Sequence, residues 1–384
     1  MKLATDGQIQ RSVSHAQDPL QAVQEIAAQL KGDNTALVVF FASPSYDKDE
    51  LASALNSIFA DTPTVGCSTA GEITPDGYQE NTITGFALPA NDFQIVVSCI
   101  DNLSDINLDS VSKKGIQSKT QLEELTGKDC TVDNTFALLF CDGLSMREEI
   151  LTAGIHQSLN NLPLIGGSAG DGTDFGETWV YYGGIAKNDR ALLILARTQR
   201  SFKTIKTEHF THTTSAHVVT EANPEKRIVW EIDAEPAADV YARIVGIEKD
   251  QLGPEVYANH PLAVKIAGEI YVRSVQQIID GKGLLFYCAI ETGIIFYQTQ
   301  REDMVTNLEL AFENSKKEFE HEIIIGCDCI LRQLEAKNSN TFNRVSEIMQ
   351  ENQVIGFSTY GEQIGSMHIN QTFTGLAIGC GIES

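Results

Sequence analysis

The sequence predicts an α/β protein of two pseudo-symmetric domains, each made of βαβ units plus antiparallel meanders in mixed sheets. Three observations carry this expectation. A 24-residue segment occurs twice, a strand–helix–strand pattern with a glycine-rich exit recurs three times, and alternating runs fill the intervals.

The duplication comes first. Residues 65–88, VGCSTAGEITPDGYQENTITGFAL, and 355–378, IGFSTYGEQIGSMHINQTFTGLAI, agree at nine of 24 positions with a constant offset of 290. Average composition would give roughly one or two matches. Gly66, Ser68, Thr69, Gly71 and Glu72 thus pair with Gly356, Ser358, Thr359, Gly361 and Glu362. A shorter cousin is LPLIGGSAGDG at 162–172.

An apolar run precedes each copy: ALVVFFA, FALLFC and EIIIGC. A segment of helical spacing follows each run. Its stripe is Leu51, Leu55, Ile58 and Phe59 in the first unit, and Leu151, Ile155 and Leu159 in the second. In the third it is Phe342, Val345, Ile348 and Met349. Apolar residues three and four apart form one buried face. Strand–helix–strand units make right-handed parallel crossovers, whose exits lie at the sheet edges where ligands bind.

Between the units, Thr82–Pro89 and Phe93–Ile100 alternate around an Ala-Asn-Asp turn, and residues 270–298 hold three strand-like runs. Phe202–Thr220 is polar, Thr/His-rich and loop-like, and Asn223-Pro224 follows it. The expected division is therefore 1–224, whose first ~34 residues are a tail or helix, and 225–384.

Composition narrows the function. The 384 residues hold 28 basic and 52 acidic side chains, for a net charge of −24. Phosphate neutralisation needs clustered Lys and Arg, so nucleic acid and anionic lipid are not expected partners. No run reaches the ~18 apolar residues of a membrane span. The first 15 residues have no apolar leader region, and several of the eight cysteines sit in strand-like runs without a CxxC pair. Both features fit a cytoplasmic protein with reduced thiols.

Gly166-Gly167-Ser168-Ala169-Gly170 matches a nucleophile elbow. That elbow needs a helix after the serine, whereas DGTDFGETW follows here. A tight turn is the preferred reading, and a serine hydrolase using Ser168 is the less favoured alternative. Cys327 and Cys329 flank Asp328 as an alternating strand would. His156 and His321 read as surface residues, and His209, His212 and His217 as loop residues. Ser68, Thr69 and Glu72, with their copies Ser358, Thr359 and Glu362, could form a polar wall for a small ligand. They could equally cap their own turns.

The strings VGCSTAGEI, IGGSAGD, HPLAVKIAGEIYVRSV, CDCILR and GFSTYGEQIGSMHINQTFTGLAIG resemble the FIST N and FIST C domains, a bacterial sensory module. VVTEANPEKRIVWEIDAEPAADVYARIVG and LLFYCAIETG resemble the NosP branch of nitric-oxide-sensing haemoproteins. The resemblance implies a non-enzymatic sensor that binds haem b and nitric oxide. Its partner would be a sensor histidine kinase or a cyclic-di-GMP enzyme (diguanylate cyclase or phosphodiesterase). No CxxCH is present, so haem would be held by a histidine without covalent attachment. His260 is the first candidate for the iron and His368 the second, with Arg273 as a propionate partner. His209 and His212 come next. A non-haem sensor of amino-acid-like ligands is the alternative.

Overall fold

The computed structural model describes residues 7–381 except 31, 33 and 267. The expected α/β class with mixed sheets is present. The pseudo-symmetry involves three copies, two in the first half of the chain and one in the second.

The first copy runs β1 (Gln10–Ser14), α1 (Pro19–Leu30), β2 (Thr35–Ala42), α2 (Lys48–Ile58), β3 (Thr64–Ser68), β4 (Glu72–Thr74), β5 (Gly77–Gln79) and β6 (Ile83–Pro89). The second runs β7 (Phe93–Asp101), α3 (Leu108–Thr126), β8 (Thr135–Cys141), α4 (Glu148–Ser158), β9 (Leu164–Ser168), β10 (Val180–Tyr182), β11 (Ile185–Lys187) and β12 (Arg190–Thr198).

The third opens with β13 (Phe202–Glu208) and is then interrupted. The interruption holds β14 (Phe210–Asn223), β15 (Ile228–Ile232), β16 (Glu235–Pro236), α5 (Ala237–Val245), α6 (Pro254–Asn259), β17 (Leu262–Ile266), β18 (Glu269–Arg273), β19 (Val275–Ile279), β20 (Gly283–Phe286) and β21 (Ile295–Arg301). The copy resumes with α7 (Met304–Lys316), β22 (His321–Cys329), α8 (Ile330–Asn338), α9 (Phe342–Glu351), β23 (Val354–Thr359), β24 (Glu362–Ile364), β25 (Met367–Ile369) and β26 (Thr372–Gly379).

The helices form where the stripes and caps say they should. Leu51 and Leu55 of α2 are buried, and Asp47 caps its first turn through the amides of Asp49 and Glu50. A capping box of Asn107 and Ser110 opens α3, and Gly127 closes it at φ 63°.

Three sheets follow one plan. Their strand orders are β1-β6-β2-β3-β10-β11, β7-β12-β8-β9-β24-β25 and β13-β26-β22-β23-β4-β5. The central pairs β2–β3, β8–β9 and β22–β23 are parallel, as the βαβ reading requires. Each short hairpin leaves its own copy and extends a neighbour's sheet. The first copy's β4–β5 joins β23, the second's β10–β11 joins β3, and the third's β24–β25 joins β9. The exchange is cyclic. Glu72 and Glu362 open equivalent hairpin strands, as the duplication predicts.

The inner faces of the three sheets share one core. Phe41 stacks on Phe357 at 4.6 Å, and Phe140 meets Phe41 edge-on at 5.5 Å. Helices α1 and α2, α3 and α4, and α7 and α9 cover the outer faces with separate apolar clusters. The interruption forms a fourth, antiparallel sheet, β18-β17-β21-β14-β15-β20-β19, with its own core.

Three glycines explain the recurrent exit. A Cβ on Gly66, Gly166 or Gly356 would meet the neighbouring carbonyl oxygen of Phe40 at 2.4 Å, Leu139 at 2.1 Å or Gly326 at 1.8 Å. These three positions occupy one register in the three parallel pairs.

Several expectations need correction. Phe202–Thr220 is not a loop: it is β13 and most of β14. Its β-branched threonines suit a strand, and one side of β13 alternates into the interior. The alternating runs 82–89 and 93–100 do turn between them, but β6 and β7 enter different sheets. Of the expected N-terminal tail, residues 10–30 form β1 and α1; residues 1–6 lie outside the described residues. Residue 224 lies in the turn between β14 and β15. Among the described residues, no helix is long and apolar enough to cross a membrane.

Candidate functional site

The three Ser-x-Gly exits meet at the pseudo-threefold axis, where backbone groups join them in a closed ring. The Ala70 N–H donates to the Ser358 carbonyl (2.9 Å), Gly170 to Ser68 (3.2 Å) and Tyr360 to Ser168 (3.3 Å). A second ring runs from the Ser68 N–H to Trp179 (3.0 Å), from Ser168 to Gly361 (3.0 Å) and from Ser358 to Gly71 (2.7 Å). The repeated serine motif is therefore a closure device, satisfying buried amides that no sheet ladder reaches.

Ser168 belongs to that device. It is fully buried, and no helix follows it. Its hydroxyl donates to Glu148 Oε1 (3.1 Å) and accepts from the Gln363 amide (3.0 Å). The side chains bonded to it supply no imidazole base, so the arrangement is not that of a Ser-His nucleophile.

Glu72 and Glu362 lie beside the ring, both fully buried. Glu72 accepts from the Thr69 hydroxyl and, through Oε2, from the Thr82 N–H (3.1 Å) and hydroxyl (2.7 Å). Glu362 repeats this with Thr359 (2.6 Å) and Thr372 (3.2 and 2.7 Å). Each carboxyl caps its own hairpin. Val180 fills the matching register in the second copy, where Asp142 instead accepts from the Thr178 hydroxyl and the Asp189 N–H.

Burial pushes Glu72 up to about 7 and Glu362 up to about 8, against the hydrogen bonds that favour the anion. The folded chain therefore holds protons that the unfolded chain releases above its ordinary carboxyl pKa. The contribution of these two groups to stability is full below about pH 4.5 and is lost as pH rises to 7 and 8, by up to about 1.4 kcal/mol per pH unit per group. Glutamine mimics the protonated acid. Glu362→Gln should thus be near-neutral at pH 5 and stabilising by a few kcal/mol at pH 8.5, read from urea midpoints. A variant equally destabilised at both pH values would refute this assignment.

Glu72 also lines a cavity of about 280 Å³ that joins the first and third copies. Thr69, Ala70 and Gly71 form one wall, and Gln333 and Leu334 of α8 the other. Gln333 is 2% exposed, and its amide nitrogen has no hydrogen-bond partner. The Ser358 hydroxyl, close to Gly71, is also buried without a partner. Lys337 holds the rim, paired with Glu80 at 2.6 Å. Of the expected wall, Thr69 and Glu72 line this cavity, whereas the Ser68 hydroxyl accepts from the Trp179 N–H at 3.1 Å, Ser358 lies against Gly71, and Thr359 and Glu362 serve the next hairpin. The sequence reading missed Gln333 and Lys337: they lie on a helix about 260 residues from the hairpin they face.

The candidate haem residues do not share such a space. His260 ends α6 with its side chain exposed. Arg273 is buried in β18, and its guanidinium donates to the Val272 carbonyl at 2.9 Å. His368 is buried in β25, with Nδ1 3.2 Å from the Gln363 amide and Nε2 3.3 Å from the Tyr287 carbonyl. Gly361 lies against its ring so closely that a Cβ there would be 2.2 Å from Cε1.

Cavities of about 440, 390 and 280 Å³ are lined by none of His260, His368 and Arg273. None of these three spaces brings an imidazole and Arg273 together: His368 and Arg273 are buried and His260 is exposed. His209 is no loop residue either. It is buried between β13 and β14, with Nε2 2.8 Å from Glu335 and Nδ1 2.9 Å from Arg332. His212 lies on β14, exposed. His321, expected at the surface, is buried at the start of β22.

A charged cluster surrounds His368. Arg227, from the turn before β15, bonds both Glu148 and Glu149 of α4. Burial alone would raise Glu149, but the charges of Arg227 and His368 outweigh it and hold it at about 2. Burial likewise opposes protonation of His368, yet Cys288, Glu148 and Glu149 push it up to about 9. Neither Arg227 nor the Glu148-Glu149 pair carries any local sign of burial in the sequence.

The family comparison agrees with this architecture. The FIST N domain model matches residues 36–235 and the FIST C domain model residues 237–365. No curated protein matches the chain. Among solved structures, a cyanuric acid hydrolase from A. caulinodans aligns over 97% of this chain and 98% of its own, at 6% identity and a TM-score of 0.42. FIST domains are sensory domains of signal transduction that bind small ligands. The chain carries a FIST N and a FIST C domain in succession and belongs to the FIST family.

Proposed function

We propose that the protein is a non-enzymatic sensor whose small polar ligand sits in the cavity between Glu72 and Gln333. The observation that carries this reading is the buried, unpartnered Gln333 amide facing a polar cavity. Leaving such a donor unsatisfied costs about 1–3 kcal/mol, which a ligand acceptor would recover. An amino-acid-like ligand suits the walls. Its carboxylate would accept from Gln333 and Lys337, and its ammonium would face Glu72, favouring the anion there.

The ligand would bridge the first-copy hairpin and helix α8 of the third copy. Binding would bias how these two elements sit, and a partner could read that bias. The partner class implied by the resemblance, a sensor histidine kinase or a diguanylate cyclase/phosphodiesterase in the cytoplasm, is part of this proposal. Haem-borne nitric oxide sensing is the competing outcome.

One experiment separates them. The purified chain is screened by thermal shift against free amino acids and, separately, reconstituted with haem. An amino acid should raise Tm, and Gln333→Leu should weaken its binding by at least ~10-fold, the equivalent of one lost hydrogen bond. A Soret band lost in His260→Ala or His368→Ala, with no amino-acid response, would overturn the cavity reading in favour of haem.

A further inference from the structure

We propose that Glu149, Cys288 and His368 form a binding site for a divalent transition metal of the zinc type. The three come from separate elements: helix α4, the segment after β20, and strand β25. Their ligand atoms all lie within 4.8 Å of one another. A tetrahedral zinc holds such atoms about 3.4 Å apart, so modest side-chain shifts close the site. Thiolate, imidazole and carboxylate together select zinc or a similar borderline metal over magnesium or calcium.

The surroundings are those of a metal site. Both ring nitrogens of His368 are held, Nε2 by the Tyr287 carbonyl at 3.3 Å and Nδ1 by the Gln363 amide at 3.2 Å; the metal would replace one of these contacts, and the other would orient the imidazole as an outer partner does. The Asn370 Oδ1 accepts from the Cys288 thiol at 2.9 Å, and its buried Nδ2 has no partner. The Ala289 N–H donates to Glu149 Oε1 at 2.7 Å and fixes that carboxylate. Glu149 is 33% exposed and opens a path from solvent, by which a water could reach the fourth position of a tetrahedral metal.

Charge also balances. With a thiolate and a neutral imidazole, Glu148, Glu149 and Cys288 carry three negative charges against one on Arg227. A divalent cation neutralises the remaining two. The thiol and imidazolium protons leave to solvent as the metal enters.

The test uses the full-length chain, stripped of metal and titrated with Co²⁺ alone and Zn²⁺ alone. One cobalt per chain should bind with a thiolate-to-cobalt charge-transfer band, and Zn²⁺ should displace it. Cys288→Ser should abolish the band, Cys380→Ser, at an exposed thiol, should leave it unchanged, and Asn370→Ala should weaken binding about 10-fold. Glu149→Gln provides a second ligand deletion should Cys288→Ser fail to fold, and should weaken binding at least as much as Asn370→Ala. Absence of the band in the wild-type chain, or its survival in Cys288→Ser, overturns the proposal. A failed amino-acid screen leaves it intact, because the Glu72 cavity shares none of these three ligands.

Discussion

Gly356→Ala is expected to be among the most damaging single-methyl additions the chain can suffer. The new Cβ would sit 1.8 Å from the Gly326 carbonyl oxygen and 2.7 Å from its carbon. Both are backbone atoms of the adjoining parallel strand, so no side chain can swing aside. The β22–β23 pair must separate, and it forms the centre of the third sheet. Overpacking in a core ordinarily costs about 1–3 kcal/mol, and this contact belongs at or beyond the upper end. Gly253→Ala is the control: nothing lies within 4 Å of its Cβ position, and only the loss of a glycine at the N-cap of α6, about 0.5–1 kcal/mol, is expected. Urea denaturation of both variants checks the pair. A Gly356→Ala midpoint indistinguishable from wild type would mean that the strands are not so close.

Arg332→Met should cost about 3–5 kcal/mol, because it strands a buried charge. Arg332 is 1% exposed on α8, and its Nε donates to Asp328 Oδ1 at 2.7 Å. The Tyr78 hydroxyl also donates to Asp328, and Arg332 Nη1 contacts His209, which in turn contacts Glu335. Methionine fills much of the volume but leaves Asp328 without its cation. The double variant Asp328→Asn/Arg332→Met should recover part of the loss, since removing both charges is cheaper than removing one. If the double variant is as unstable as the sum of both single ones, the pair is not coupled and this reading fails.

Local pattern carried much of the architecture. The stripes at Leu51 and Leu55, Leu151 and Ile155, and Val345 and Ile348 mark helices that formed where expected, because one buried face is written every three or four residues. The glycine before each exit serine marks the close approach of two strands. The pairing of the hairpins was not legible, since nothing local in Glu72–Gln79 says which of three similar strands will accept it. Buried charges stayed hidden for the same reason. Arg227 meets Glu148 79 residues away, and Arg332 meets His209 at a separation of 123. Each reads as a surface cation until its partner is placed. Thr69 and Glu72 were found because duplication repeats their spacing, whereas Gln333, with no copy, gave no such signal.

The cyclic loan of hairpins sets an order on synthesis from the N-terminus. Once the nascent chain has emerged through residue 187, every strand of the first sheet is available, including the borrowed β10–β11. The second sheet then still lacks β12, which follows at once, and β24–β25, and the hairpin β4–β5 has no host until β23 emerges at residues 354–359. A segment made among the first 80 residues must therefore wait for almost the whole chain. Such long-range closure raises contact order and slows the final step of folding. It also means that a chain cut at residue 235, where the N-terminal family model ends, cannot complete its own architecture: it would carry one finished sheet, a second with an open edge, the hairpin β4–β5 with nothing to join, and β13 without its partner β26.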